Sequence, residues 1–459
     1  MLPSRSFRGV SRRGVVAAAF VALAMVLGGG GSPSPVTEII VQLGFAAALA
    51  AWLWWAQPIH EGQSGVPRLL LWFGLALLAL PLVQLIPLPP AIWQSLPSRD
   101  LQQATLSLIG EDDSWRALSV GPPATWAALL ALIPAVGVMW GASVLSRRDR
   151  RFLLLAIAIV TLGGAFLGAL QMAGGPDALR LYEKSHRGWL TAFHANRNAA
   201  ADALLIGALA LSAWFALSSQ GERRRPRLPV FAAAQFILLF ALVLTGSRTG
   251  IALLVVSLPF HWMMLRPDGT SVSRRTLFAA TGAFAVALLS LPLALANNPR
   301  LSRVADRFDA SDDARFPLWE DTLDAIAGFW PAGSGLGTFP HAFQPFESLE
   351  HLDQFFPNRA HNDYLEFLLE AGVLAPIMLA GGALALFMLA RRGWRLSPQD
   401  HASQLFGLGT LAIVALHSIV DYPLRNMAIA CLAGVAAGLL TAAPRSGAAR
   451  SREEGREDR

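Results

Sequence analysis

Phe152-Leu-Leu-Leu-Ala-Ile-Ala-Ile-Val-Thr-Leu-Gly-Gly-Ala-Phe-Leu-Gly-Ala-Leu170 follows directly on Arg147-Arg-Asp-Arg-Arg151. The apolar stretch carries no charge and has about the length, roughly 20 residues, that takes a helix across a bilayer. The arginine cluster sits at its boundary, where topology control puts positive charge. This alternation recurs along the whole chain. Of 459 residues, 54% are hydrophobic and only 15% charged, against about a quarter charged in a soluble domain. The fold predicted is therefore all-α: one integral-membrane helical bundle over residues 1–459, with about twelve transmembrane helices.

The expected spans are 14–27, 36–56, 68–86, 124–145, 152–170, 198–217, 228–245, 249–265, 276–296, 364–390, 404–420 and 427–443. The first follows Arg5, Arg8, Arg12 and Arg13 and reads either as a cleavable signal peptide or as an anchor. The lack of a clean small-x-small cleavage site favours the anchor. With the N-terminus in the cytoplasm, 24 of the 37 Lys and Arg residues fall inside and 13 outside, as the positive-inside rule requires. The inner segments hold Arg147–Arg151, Arg223–Arg227, Arg266 with Arg274 and Arg275, Arg391–Arg395 and a charged tail at 444–459.

The outer face collects loops near 87–123, 171–197 and 297–363, and the turns Gly246–Arg248 and Asp421–Asn426. A loop as long as 297–363 is rarely an idle connection. Within it, Asp312-Asp313 is a candidate cap for an amphipathic helix. Phe316, Trp319, Leu323, Ile326 and Trp330 would form its apolar stripe, opposed by Glu320, Asp321 and Asp324. Gly333-Ser-Gly-Leu-Gly337 then reads as an irregular turn, since no strand precedes it to make a phosphate loop.

Composition excludes several functions. The net charge of +6 is almost all arginine, with Lys184 the one lysine, and the clusters lack the interleaved aromatics that stack on bases. Nucleic-acid binding is not expected. The single cysteine, Cys431, excludes an internal disulfide and reads as a packing residue. Scattered histidines without a close second ligand give no metal site, and no cofactor is implied.

Some polar residues at the outer face demand more than packing. Arg248, in Thr245-Gly-Ser-Arg-Thr-Gly250, is either a snorkelling helix-end arginine or a fixed cation for phosphate, which its planar fork suits. In His194-Ala-Asn-Arg-Asn198 the asparagines cap the next helix. Arg197 beside a helix N-terminus instead points to an anionic partner. Arg359-Ala-His-Asn-Asp-Tyr-Leu-Glu-Phe-Leu-Leu-Glu370 is the densest cluster, with Asp363, Glu366 and Glu370 on one helical face. His361 precedes that helix, within reach of carboxylates that would raise its basicity; the plain alternative is an interfacial histidine beside structural acids. His417 and Asp421, four apart with Arg425 close behind, read as a hydrogen-bond pair packed against the site.

Taken in order, these motifs resemble the O-antigen ligase and polymerase superfamily of bacterial membrane glycosyltransferases. The resemblance rests on Trp189-Leu-Thr-Ala-Phe-His-Ala-Asn-Arg-Asn198, Leu244-Thr-Gly-Ser-Arg-Thr-Gly250, Arg315-Phe-Pro-Leu-Trp319 with Gly335-Leu-Gly-Thr-Phe339, Ala360-His-Asn-Asp-Tyr-Leu365 with Glu370-Ala-Gly372, and His417-Ser-Ile-Val-Asp421. It implies transfer of a glycan from an undecaprenyl-diphosphate carrier to a hydroxyl at the periplasmic face of the inner membrane. The reaction would be inverting and metal-independent. The partners implied are a lipid-linked oligosaccharide donor, a glycolipid, polysaccharide or protein acceptor, and membrane lipids.

On this resemblance His361, Asp363 and Glu366 are the expected catalytic residues, and Arg197, Arg248 and Arg315 the diphosphate contacts. His194, Asn362, His417 and Asp421 would support them. His361-Asn362 with Gly372 keeps the ligase spacing. Two positions depart from the ligase pattern: Ala375 replaces an expected Gly, Thr or Tyr, and Leu318 follows Arg315 one residue early. A polysaccharide polymerase and a protein O-oligosaccharyltransferase share the donor chemistry and stay open. A flippase for lipid-linked sugars would instead carry broken or polar helices near mid-membrane and inverted repeats; here the ionisable groups gather at one face.

Overall fold

The computed structural model describes residues 9–30, 35–55, 65–218, 227–266, 315–352 and 356–444. Outside them lie the expected span 276–296, the start of the 297–363 loop with Asp312-Asp313, most of Arg223–Arg227, Arg274 and Arg275, and nearly all of the tail.

The regular structure of the described residues is almost entirely helical. In chain order they form α1 (Arg12–Leu27), α2 (Pro35–Trp54), α3 (Arg68–Gln84), α4 (Pro90–Trp93), α5 (Asp100–Ser107), α6 (Pro122–Ser143), α7 (Arg147–Gly174), α8 (Arg197–Ser218), α9 (Leu228–Leu244) and α10 (Arg248–Leu265). After the gap come α11 (Arg315–Phe329), α12 (Phe339–Phe343), α13 (Asp363–Ala371), α14 (Leu374–Leu396), α15 (His401–His417) and α16 (Met427–Leu439). Two short antiparallel strands, Pro87–Leu88 and Arg116–Ala117, close the loop that carries α4 and α5. Among the described residues, six helices are long and apolar enough to cross a membrane: Val36–Trp54, α6, α7, α8, α10 and α14. The apolar helices α3, α9 and α16 are shorter.

Helix α8 is the hub, buried along nearly its whole length and packed against α7, α9, α10 and α15. Small side chains permit this. A Cβ at Gly207 would meet Thr161, and one at Gly434 or Gly438 would meet the backbone of α6, so α16 and α6 touch closely. Helix α1 is fixed in the same core, with Phe20, Val21 and Ala24 buried. The Ser11 backbone N–H donates to Asp149 of α7 at 2.8 Å.

The arginine cluster at the head of α7 does more than mark topology. Arg150 is buried and donates to Leu145 O and Ser143 O beyond and at the end of α6, and to Thr441 O beyond α16. One guanidinium thus serves carbonyls that two helix ends leave without intrahelical donors. Arg147 pairs with Asp400 at 2.8 Å, tying the start of α7 to the start of α15.

Two expectations change at the opposite end of the bundle. The span expected over 364–390 is two helices, α13 and α14, broken at Gly372. Gly372 has φ 54°, and a Cβ there would strike the Pro331 carbonyl. The segment 331–335 lies along this break: Ser334 N donates to Leu369 O and Gly335 N to Glu370 O, both at 2.9 Å. The glycine run allows that path, since Gly333, Gly335 and Gly337 all have positive φ.

Helix α11 is rotated from the expected orientation. Phe316 and Leu323 of the expected stripe are exposed, while Asp321, Thr322, Ala325 and Phe329 are buried against α13 and the segment after α11. Asp321 can turn inward because His351 pairs with it at 2.9 Å and Ser348 N donates to it.

Candidate functional site

The chain enters α13 through Arg359-Ala-His-Asn-Asp363. Asn362 is the N-cap, its side-chain oxygen accepting from Tyr364 N at 3.0 Å and Leu365 N at 3.1 Å. Asp363 N donates to Ser418 O and Asp421 O, which pins the turn to the loop between α15 and α16. Between these anchors His361 is held at φ 50°, a left-handed conformation unusual for a non-glycine residue. Strain of this kind persists where the surroundings dictate it, and it concentrates at functional sites.

His361 Nδ1 lies 3.2 Å from Asp421 Oδ1, and the edge of Tyr422 packs on its ring with centroids 4.8 Å apart. The His361 side chain is 35% exposed, whereas that of Asp421 is 4% exposed. Burial opposes the charge of Asp421. The hydrogen bond and charge of His361, the His417 charge and the Asn198 amide outweigh it and hold the carboxyl at about 2. Asn198 donates to Asp421 Oδ2 at 2.5 Å. A buried, ionised acceptor on Nδ1 leaves Nε2 as the lone-pair nitrogen of the neutral ring.

The expected carboxylate partners of His361 serve elsewhere. Asp363, Glu366 and Glu370 share one buried face of α13, as their spacing predicts. That face binds arginines. Arg425 lies 2.7 Å from Glu370, 3.4 Å from Glu366 and 3.6 Å from Asp363, and Arg359 lies 2.8 Å from Glu366. Asp363 also accepts from Ser418 Oγ at 2.9 Å and Leu424 N at 3.1 Å. These acids order the turn and the 418–426 loop; the carboxylate at His361 is Asp421.

The expected His417–Asp421 hydrogen bond is also corrected. His417 Nδ1 meets Asp202 Oδ1 at 2.7 Å, while His417 Nε2 and Asp421 Oδ2 stand 4.0 Å apart. Asp202 escaped the sequence reading, although an acid within the apolar block 198–217 is a signal in itself. Arg359 and Arg425 were visible in the motifs but had no assigned role. Their role depends on the break that sets α13 apart.

The three expected diphosphate arginines stand at helix heads. Arg197 opens α8, its guanidinium 5.1 Å from the Trp189 ring centroid. The same ring packs on Gly246, where φ is 62°, and Leu190 N donates to Leu244 O at 3.2 Å. The Trp189 segment therefore joins the head of α8 to the turn that presents Arg248 at the head of α10. Arg315 opens α11, close enough for its charge to act on His417. His194 is buried under Gly29, and burial pushes its imidazole down to about 4.

The O-antigen ligase family model matches residues 233–380. That segment is similar to the O-antigen ligase family. It runs from within α9 into α14 and contains Arg248, Arg315, His361, Asp363 and Glu366. Arg197, Asp202, His417 and Asp421 lie outside the matched segment, on flanking helices and the 418–426 loop. A comparison with curated proteins finds no match for the chain.

Proposed function

We propose that this protein is an O-antigen ligase-type glycosyltransferase that moves a glycan from undecaprenyl diphosphate to an acceptor hydroxyl, with His361 as general base. The observation that carries this reading is the contact of the strained, half-exposed His361, inside the segment that matches the O-antigen ligase family, with buried, ionised Asp421 from beyond that segment. His361 Nε2 takes the proton of the acceptor hydroxyl. The acceptor oxygen bonds the anomeric carbon from the side opposite the carrier, and the bond from that carbon to the diphosphate oxygen breaks with its electron pair. The configuration inverts, and undecaprenyl diphosphate departs. Arg197, Arg248 and Arg315 stabilise the charge developing on it, without a metal.

The finer topology belongs to the same proposal: about twelve spans in a bacterial inner membrane, a cytoplasmic N-terminus and this site at the periplasmic face. A ligase and a polymerase share these steps and differ in the acceptor they admit.

Turnover and melting temperature of purified His361→Ala test the assignment. Loss of the base lowers kcat by about two to four orders of magnitude, with unchanged donor binding and a near-wild-type melting temperature. Wild-type turnover per folded molecule removes His361 from the role.

A further inference from the structure

Behind Asp421 stands a second histidine–carboxylate pair. Asp202 and His417 are each 1% exposed, in a bundle whose other buried contacts are mostly apolar. Breaking such a pair is costly, yet as a source of stability it does no better than two apolar side chains of similar volume. Position gives it another use. Asp202 on α8, His417 at the end of α15, Asp421 in the following loop and His361 before α13 form one line from the core to the half-exposed imidazole. His417 Nδ1 meets Asp202 at hydrogen-bond distance, and its buried Nε2, which has no hydrogen-bond partner, faces Asp421 Oδ2 4.0 Å away. A small cavity lined by Asn196, Asp202, Asp421, Tyr422 and Asn426 lies alongside. Asp202 Oδ2 and Asn426 Nδ2, an acceptor and a donor on buried side chains that line it, lack protein hydrogen-bond partners. Such a pair suits one bridging water.

We propose that Asp202 and His417 are positioning residues for the glycosyl transfer: they fix Asp421 from behind, and so set the orientation of the His361 imidazole. This rests on His361 being the base. Asp202→Asn and His417→Gln should each lower kcat about ten- to a hundred-fold, as loss of an outer partner of a reacting group does. KM for the lipid-linked donor should hold, and turnover is counted per folded molecule because breaking the buried pair also costs stability. The double variant should be no worse than either single, because the pair acts as a unit.

The deciding measurement puts Asp202→Asn into the His361→Ala background. Full-length protein in nanodiscs is assayed for carrier-diphosphate release from lipid-linked glycan of the host strain, with host membranes as acceptor source. If the pair acts through His361, Asp202→Asn leaves the residual turnover of His361→Ala unchanged. If it lowers that residue by its full factor, or if activity loss only follows lost folded protein, the positioning role fails while the base assignment stands. Full turnover in His361→Ala alone fails the base assignment instead. Should Asp202→Asn not fold, His417→Gln in the same background carries the test.

Discussion

In the proposed mechanism His361 and Asp421 divide the work of one base: the imidazole is 35% exposed, and the carboxylate is buried. The depressed value of Asp421 fixes the sign of its pH dependence. A carboxyl lowered on folding contributes stability above the ordinary aspartate value of about 4, and that contribution is lost only as pH falls through about 2. From pH 5 to 8 Asp421 therefore stays ionised. Asp421→Asn should lower kcat by about two orders of magnitude or more, since an amide can donate to Nδ1 and impose the wrong tautomer. An unchanged kcat would mean that the contact is structural. At Arg248 the useful comparison is Arg248→Lys, which keeps the charge and loses the fork. Activity should fall at least about ten-fold in protein that still inserts, and full activity in Arg248→Ala would leave only a snorkelling arginine.

Among the elements, the break at Gly372 matters most. A continuous helix over 364–390 would place Asp363, Glu366 and Glu370 in an ordinary span. The separate α13 makes them a buried anchor for Arg359 and Arg425, and hence for the loop that delivers Asp421. Gly372→Ala combines a positive φ with a collision against the Pro331 carbonyl. It should cost about 2–4 kcal/mol, seen as a melting temperature lower by several degrees with both activity and the α13 packing affected. A wild-type melting temperature would show that the break tolerates a side chain. The acidic face was legible from spacing alone. The break was not, because hydropathy runs smoothly through Ala371-Gly372-Val373 and the colliding carbonyl comes from 41 residues earlier in the sequence. Helix α11 was misread for a similar reason: Asp321 looks solvent-facing until His351, thirty residues on, is seen to pair with it.

At the scale of the whole molecule, apolar blocks set the helical bundle and most helix limits to within a few residues, since each block is a local property. What stayed hidden is long-range. Asp202 and His417 are 215 residues apart in sequence and 2.7 Å apart in space, a pairing no window of sequence contains. Arg150 looked like one more topology marker until its carbonyl partners, from two other helices, came into view. The proposed topology can be checked directly: a reporter fused after Arg391 should score cytoplasmic and one at Ser348 periplasmic. A cytoplasmic score at Ser348 would put the site on the wrong face for a periplasmic transfer.

The carboxylate of His361 comes from outside residues 233–380, and this limits how the protein can be recombined. Grafting that segment alone into a relative would deliver an imidazole to whatever acid the host loop happens to offer. A working chimera has to carry the head of α8 and the stretch from His417 to Asn426 along with it.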